Sequence, residues 1–142
     1  MKKFYFTQLF AATLMFVAVN FTSCKKYEEG PSMSLRSKKA RLAGEWKLDK
    51  VIYNGKDITS EFLQLMGTVE LNIEKDGTAE MFYGTQRDES TWEFNSGKDK
   101  VIFTDTRDKE TTTLTILRLT NSEFFAEEVD DSDKYRWEFK SK

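Results

Sequence analysis

From about Arg41 to Lys142 the chain alternates apolar and polar residues with a period of two, in short runs cut by turn residues. That period sends successive side chains to opposite faces of a strand, so each run carries one apolar face that must be covered. Trp46 and Leu48 share such a face, with Glu45, Lys47 and Asp49 opposite. The phase then slips by one residue to Val51 and Tyr53, which a bulge near Lys50 explains. Asn54-Gly55 follows, a dipeptide suited to the positive φ angles of a two-residue hairpin turn. Val69, Leu71 and Ile73 form the next run. Lys75-Asp76-Gly77 turns the chain, and Ala79, Met81 and Tyr83 continue on one face. Trp92 and Phe94 lead into the turn Ser96-Gly97-Lys98-Asp99, then Val101, Ile102 and Phe103. Glu110 to Leu119 is rich in threonine, with Leu114 and Ile116 in phase. Thr120-Asn121-Ser122 precedes Phe124, Phe125 and Ala126, and Tyr135, Trp137 and Phe139 close the series of eight strands.

One segment has a different period. Thr59 to Gly67 reads as a short helix with Thr59 as N-cap, Gly67 at its end, and Ile58 with Leu63 as a hydrophobic staple. Eight consecutive antiparallel strands with short turns favour an all-β, up-and-down closed barrel, because closure removes both exposed edges. The helix after strand one would then cap one barrel end. Residues 41–142 are enough for one core and too few for two.

The alternation assigns an interior of Trp46, Leu48, Val69, Leu71, Ile73, Met81, Tyr83 and Trp92, continued by Phe94, Val101, Phe103, Leu114, Ile116, Phe124 and Trp137. The candidate ligand-lining residues among these are Trp46, Leu48, Met81, Tyr83, Trp92, Phe94, Phe103, Phe124 and Trp137. Strands of roughly six to eight residues enclose little space, and small barrels can be filled by their own side chains. The expectation is therefore a filled or nearly filled barrel, with a shallow site at an open end as the alternative.

Several function classes lose their chemistry at the level of composition. The chain has no histidine, which removes Ser-His and Cys-His nucleophile activation and histidine-based metal sites. Acidic and basic residues are interspersed, without the basic stripe that nucleic-acid binding needs. The acidic run Glu127-Glu128-Val129-Asp130-Asp131-Ser132-Asp133 lacks the glycine and distant glutamate of an EF-hand, and reads as a solvated hairpin tip rather than a calcium site. Most other acids fall on the solvent faces of the strands. The expectation is a binding module that is not an enzyme, with no cofactor, no catalytic residue and no metal.

The N-terminus carries a separate signal. Lys2 and Lys3 precede a mostly apolar stretch, Phe4 to Val19, and Phe21-Thr22-Ser23 lead to Cys24, the only cysteine. This is the layout of a secretory signal. The stretch also approaches the lower length limit for a membrane span, but Gln8 and the polar Asn20, Thr22 and Ser23 weaken that reading. Cys24 with the residues before it resembles the lipobox of bacterial lipoproteins, with Phe21 where leucine is usual. The resemblance implies a signal peptide over residues 1–23, lipidation of Cys24 and attachment to a membrane. Residues 24–40, which hold Pro31, Gly30 and charges of both signs, then form a flexible tether.

Gly44-Glu45-Trp46 at the start of strand one matches the Gly-x-Trp signature of lipocalins. Together with the lipobox, the helix, Asp76-Gly77-Thr78, Trp92, Leu119-Thr120-Asn121 and Tyr135-x-Trp137-x-Phe139, the chain resembles the lipocalin-like domain lipoproteins of Bacteroidetes. The Thr-Asp-Tyr motif of lipocalins has only a partial counterpart in Thr104-Asp105-Thr106. The resemblance covers residues 41–142 and implies a lipid-anchored protein of the cell envelope, at the outer membrane, binding a small apolar or amphipathic ligand. Its membrane face, periplasmic or surface, and any protein partner stay open. The alternative is a filled barrel acting as a protein- or glycan-interaction module, with an exposed aromatic patch that includes Phe82 or Phe125.

Overall fold

The computed structural model describes residues 27–29 and 35–142. The expected signal segment and Cys24 lie outside the described residues. In chain order the elements are α1 (Lys38–Leu42), β1 (Gly44–Tyr53), β2 (Lys56–Asp57), α2 (Thr59–Met66), β3 (Val69–Ile73), β4 (Thr78–Tyr83), β5 (Gln86–Phe94), β6 (Lys100–Asp105), β7 (Thr111–Leu119), β8 (Glu123–Asp130) and β9 (Asp133–Ser141). Strands β3 to β9 pair antiparallel in sequence order, and β1 pairs with both β3 and β9. This closes an eight-stranded up-and-down barrel, as the alternation predicts. The two-residue β2 stands outside the ring and is only the return limb of the Asn54-Gly55 turn, where φ is 46° and 83°.

The phase slip in β1 is a bulge between Leu48 and Lys50. It lets Leu48 face Phe139 and Val51 face Trp137, so both halves of the strand keep their apolar residues inside. A second irregularity lies between Ile116 and Arg118 on β7.

Helix α2 begins one residue earlier than the sequence suggests. Ile58 is the cap residue and Thr59 is already helical. The Thr59 hydroxyl is engaged elsewhere: it accepts from the Val51 N–H at 3.0 Å and bonds the Asp57 carboxylate at 2.6 Å. Asp57 also accepts the Thr59 N–H, and these bonds hold its carboxyl below the usual carboxylate range. Because Ile58 sits at the cap itself, the expected staple register does not apply. Gly67 ends the helix with φ of 75°, and its N–H donates to the Leu63 carbonyl at 2.9 Å. A Cβ on Gly67 would lie 3.1 Å from the Gly84 Cα, so the two glycines let the helix end press against the β4–β5 turn.

The end of the barrel next to α1 is solid. Phe124 stacks on Phe139 with Trp46 tilted against it, and Leu42 plugs this end from the helix, all at 3% exposure or less. The Trp46 indole N–H donates to the Leu42 carbonyl at 2.8 Å, giving a buried polar group its partner.

Tyr27 and Glu29, within the stretch read as a tether, are docked on this scaffold. Tyr27 is buried, and its hydroxyl donates to the Lys98 carbonyl at 3.0 Å; burial pushes its pKa up to about 12. The Glu29 carboxylate forms a bidentate pair with Arg136 at 2.6 and 2.8 Å, while its backbone carbonyl accepts from Arg118. Linear composition reads this segment as spacer because each residue's partner lies far along the chain. Among the described residues, no helix is long and apolar enough to cross a membrane.

Candidate functional site

The inward-facing positions change character along the barrel axis. Toward α1 they are large, apolar and buried. Toward the β4–β5, β6–β7 and β8–β9 turns they become partly exposed, and several are polar. Cross-strand register continues the apolar phase directly into these polar residues: Met81 faces Asp88, Ala79 faces Ser90, and Ser90 faces Asp105. Likewise Phe103 faces Thr112, and Glu128 faces Tyr135.

A pocket of about 350 Å³ opens at this end. Its floor is the buried Val69, Leu71, Leu114 and Phe139. Met81, Tyr83, Phe103 and Trp137 form the wall, and Phe62 reaches over from α2. Phe62 meets Trp137 edge-on, with ring centroids 5.5 Å apart, and Tyr135 stacks on Trp137 at 5.8 Å. The helix is placed for this contact by two bonds with Val51 in β1, whose N–H donates to the Thr59 hydroxyl and whose carbonyl accepts from the Ile58 N–H. Ser90 and Thr112 add hydroxyls to the lining, and Asp88, Asp105, Asp108, Glu110 and Glu128 add five carboxylates.

The carboxylates are arranged around the mouth. Arg107, two-thirds exposed, bridges Asp88 and Asp105 from the β6–β7 turn. Its side-chain and backbone hydrogen bonds hold the Asp105 carboxyl below the ordinary aspartate range, so Asp105 is ionised at neutral pH. The Trp137 indole N–H donates to Glu128 at 3.1 Å. Asp108 accepts the Glu110 backbone N–H at 2.9 Å, which shapes the turn. Among the described residues, no group of three or more histidine, cysteine, aspartate or glutamate side chains is placed to hold a metal ion. Chemically the lining offers apolar contact, hydroxyls and negative charge.

Of the nine candidate lining residues, the pocket brings together Met81, Tyr83, Phe103 and Trp137. Trp46 and Phe124 belong to the solid end, and Leu48 packs opposite Phe139. Trp92 and Phe94 meet at right angles with centroids 5.4 Å apart, and the Trp92 indole N–H is spent on the Glu74 carbonyl at 2.8 Å. The expectation of a filled barrel therefore holds for one end and fails for the other, where strands β5 and β6 replace bulky residues with Ser90, Asp88 and Asp105. Of the other interior positions, Val69, Leu71 and Leu114 line the pocket, whereas Ile73, Val101 and Ile116 pack in the solid part.

Sequence reasoning missed Phe62, Phe139 and every polar lining residue. The signal for the polar ones was the strand phase: stepping by two from Trp92, Phe103 or Ala126 arrives at Ser90, Asp105 or Glu128. The acidic run at 127–133 is a hairpin, as read, but it begins inside the barrel wall. Glu128 lines the pocket, while Glu127 pairs with Lys134 at 2.9 Å. On the outer surface, Phe125 is flanked by the Arg118 and Arg136 guanidinium groups at 5.9 and 5.5 Å, and Phe82 is half-buried.

A family model described as a lipocalin-like domain matches residues 42–125. That span runs from the Leu42 plug through Phe125 on β8, and so takes in most of the pocket wall. Among curated proteins, none matches the chain.

Proposed function

Because the chain belongs to the lipocalin-like domain family, we propose that its barrel binds a small apolar or amphipathic ligand in the open-end pocket, without catalysis, while a lipid on Cys24 holds it at the outer membrane of the cell envelope. The observation that carries the ligand reading is the division of the barrel interior. One end is packed solid, and the other leaves about 350 Å³ over an apolar floor, within the size range of small-molecule sites, roughly 300–1,000 Å³. The signal layout ending at Cys24 supports the anchor.

Octan-1-ol tests the pocket. Calorimetric titration of the full chain in phosphatidylcholine nanodiscs, with empty nanodiscs subtracted, should report one saturable site. Ser90→Phe places a ring in the pocket from a half-buried position on its wall. It should remove that site while leaving the thermal midpoint within a few degrees. Octanol binding that survives in Ser90→Phe, or no binding to the parent chain, would overturn the assignment.

A further inference from the structure

The same pocket carries a charge pattern that narrows its ligand. We infer that it is built for an amphipathic cation, with an alkyl or aryl body on the apolar floor and an amine or quaternary ammonium group at the mouth. This rests on the ligand-binding reading above and deepens it.

Four observations carry the inference. First, the five lining carboxylates are opposed within the cavity by a single guanidinium from outside its wall, that of Arg107, which engages Asp88 and Asp105. Among the described residues, Asp108, Glu110 and Glu128 have no ion pair. Second, several of these acids sit at inward positions of the barrel, fixed there by the register of Asp88 with Met81, Asp105 with Ser90 and Glu128 with Tyr135. Acids of one sign gathered on a low-dielectric wall repel one another, and they focus a negative potential into the cleft that attracts cations. Third, the rings of Tyr83, Phe103 and Trp137 line the same cavity as that charge, an environment suited to an organic cation through ring electrostatics. Fourth, the carboxylates are spread around the mouth and do not converge into a metal-binding group among the described residues. A bulky, weakly hydrated ammonium can use dispersed charge that a small metal ion cannot. A fatty acid would bring its carboxylate into the same field and be repelled.

The test uses three probes with one octyl chain: octyltrimethylammonium, octan-1-ol and octanoate, each titrated into the full chain in phosphatidylcholine nanodiscs at low salt. The cation should bind about tenfold tighter than the alcohol, and octanoate more weakly than the alcohol. The ratio of cation to alcohol affinity should fall to about threefold or less in the double variant Asp108→Asn, Glu110→Gln, and should shrink for the parent chain in 0.5 M salt. Far-UV circular dichroism of the variant confirms that its barrel is intact. Equal affinities for the three probes, octanoate binding tightest, or a ratio unmoved in the variant would each overturn the cation assignment while the pocket stands. Failure of all three to bind would remove the pocket reading and this inference together.

Discussion

Truncating one inward residue at each end of the barrel should produce very different losses of stability. Phe124 is fully buried, with Trp46 5.9 Å away on one side and Phe139 5.8 Å away on the other. Phe124→Ala would leave a cavity inside this stack, and such changes cost about 3–5 kcal/mol. Met81 also points inward, but it is 37% exposed and already borders open space. Met81→Ala creates little new cavity and forfeits only the buried part of its transfer energy, about 1 kcal/mol. With a urea dependence of about 1.5 kcal/mol per molar, the unfolding midpoint should fall by about 2–3 M for Phe124→Ala and by less than about 1 M for Met81→Ala. Tryptophan fluorescence and far-UV circular dichroism in urea, on the chain from Lys25 onward, measure both. Octanol supplies a cross-check through linkage, since a ligand of the native state raises the midpoint. Its increment should persist in Phe124→Ala and shrink in Met81→Ala. Equal losses from the two substitutions would mean that the open end is packed core, and the solid-and-hollow division of the barrel would be wrong.

The remaining predictions concern the N-terminal region. Cys24→Ser should abolish incorporation of radiolabelled fatty acid and membrane retention; a variant that stays labelled and membrane-bound would refute the anchor. Glu29→Gln breaks the bidentate pair with Arg136, whose bonds hold the Glu29 carboxyl below its usual range. Because the folded-state pKa is depressed, the pair's contribution is fully present above the unfolded glutamate value of about 4.3 and is lost as pH falls through the folded value. Glu29 is more than one-third exposed, so the effect is below about 1 kcal/mol after screening. Urea midpoints of parent and variant should differ at pH 7 and converge in acid, once the pH is below the folded-state value of Glu29. A difference that persists unchanged in acid would show that the charge pair is not its source.

The barrel was legible in the sequence wherever its interior is packed. Strand identity, the bulge beside Lys50 and the Asn54-Gly55 turn all follow from apolar residues that must face a common core. Legibility fades where the interior is a cavity. The first half of β5, Gln86 to Ser90, carries no apolar alternation, because the residues facing inward there meet open space. For the same reason Asp88, Asp105 and Glu128 look like solvent-face acids until register places them. The cap of α2 was misplaced by one residue because the Thr59 hydroxyl serves β1, a tertiary contact that local pattern does not encode. The docking of Tyr27 likewise depends on Lys98, 71 residues away in the chain.

That clasp of Tyr27 also fixes a direction. Lys98 lies in the β5–β6 turn, on the α1 side of the barrel, and the pocket opens on the far side. Cys24 is three residues from Tyr27, a reach of about 10 Å even when extended. If Cys24 carries lipid, the clasp seats the solid end toward the bilayer and turns the acidic mouth outward. Ligand would then exchange with the aqueous compartment, and a molecule dissolved in the membrane would have to leave it before it could be captured.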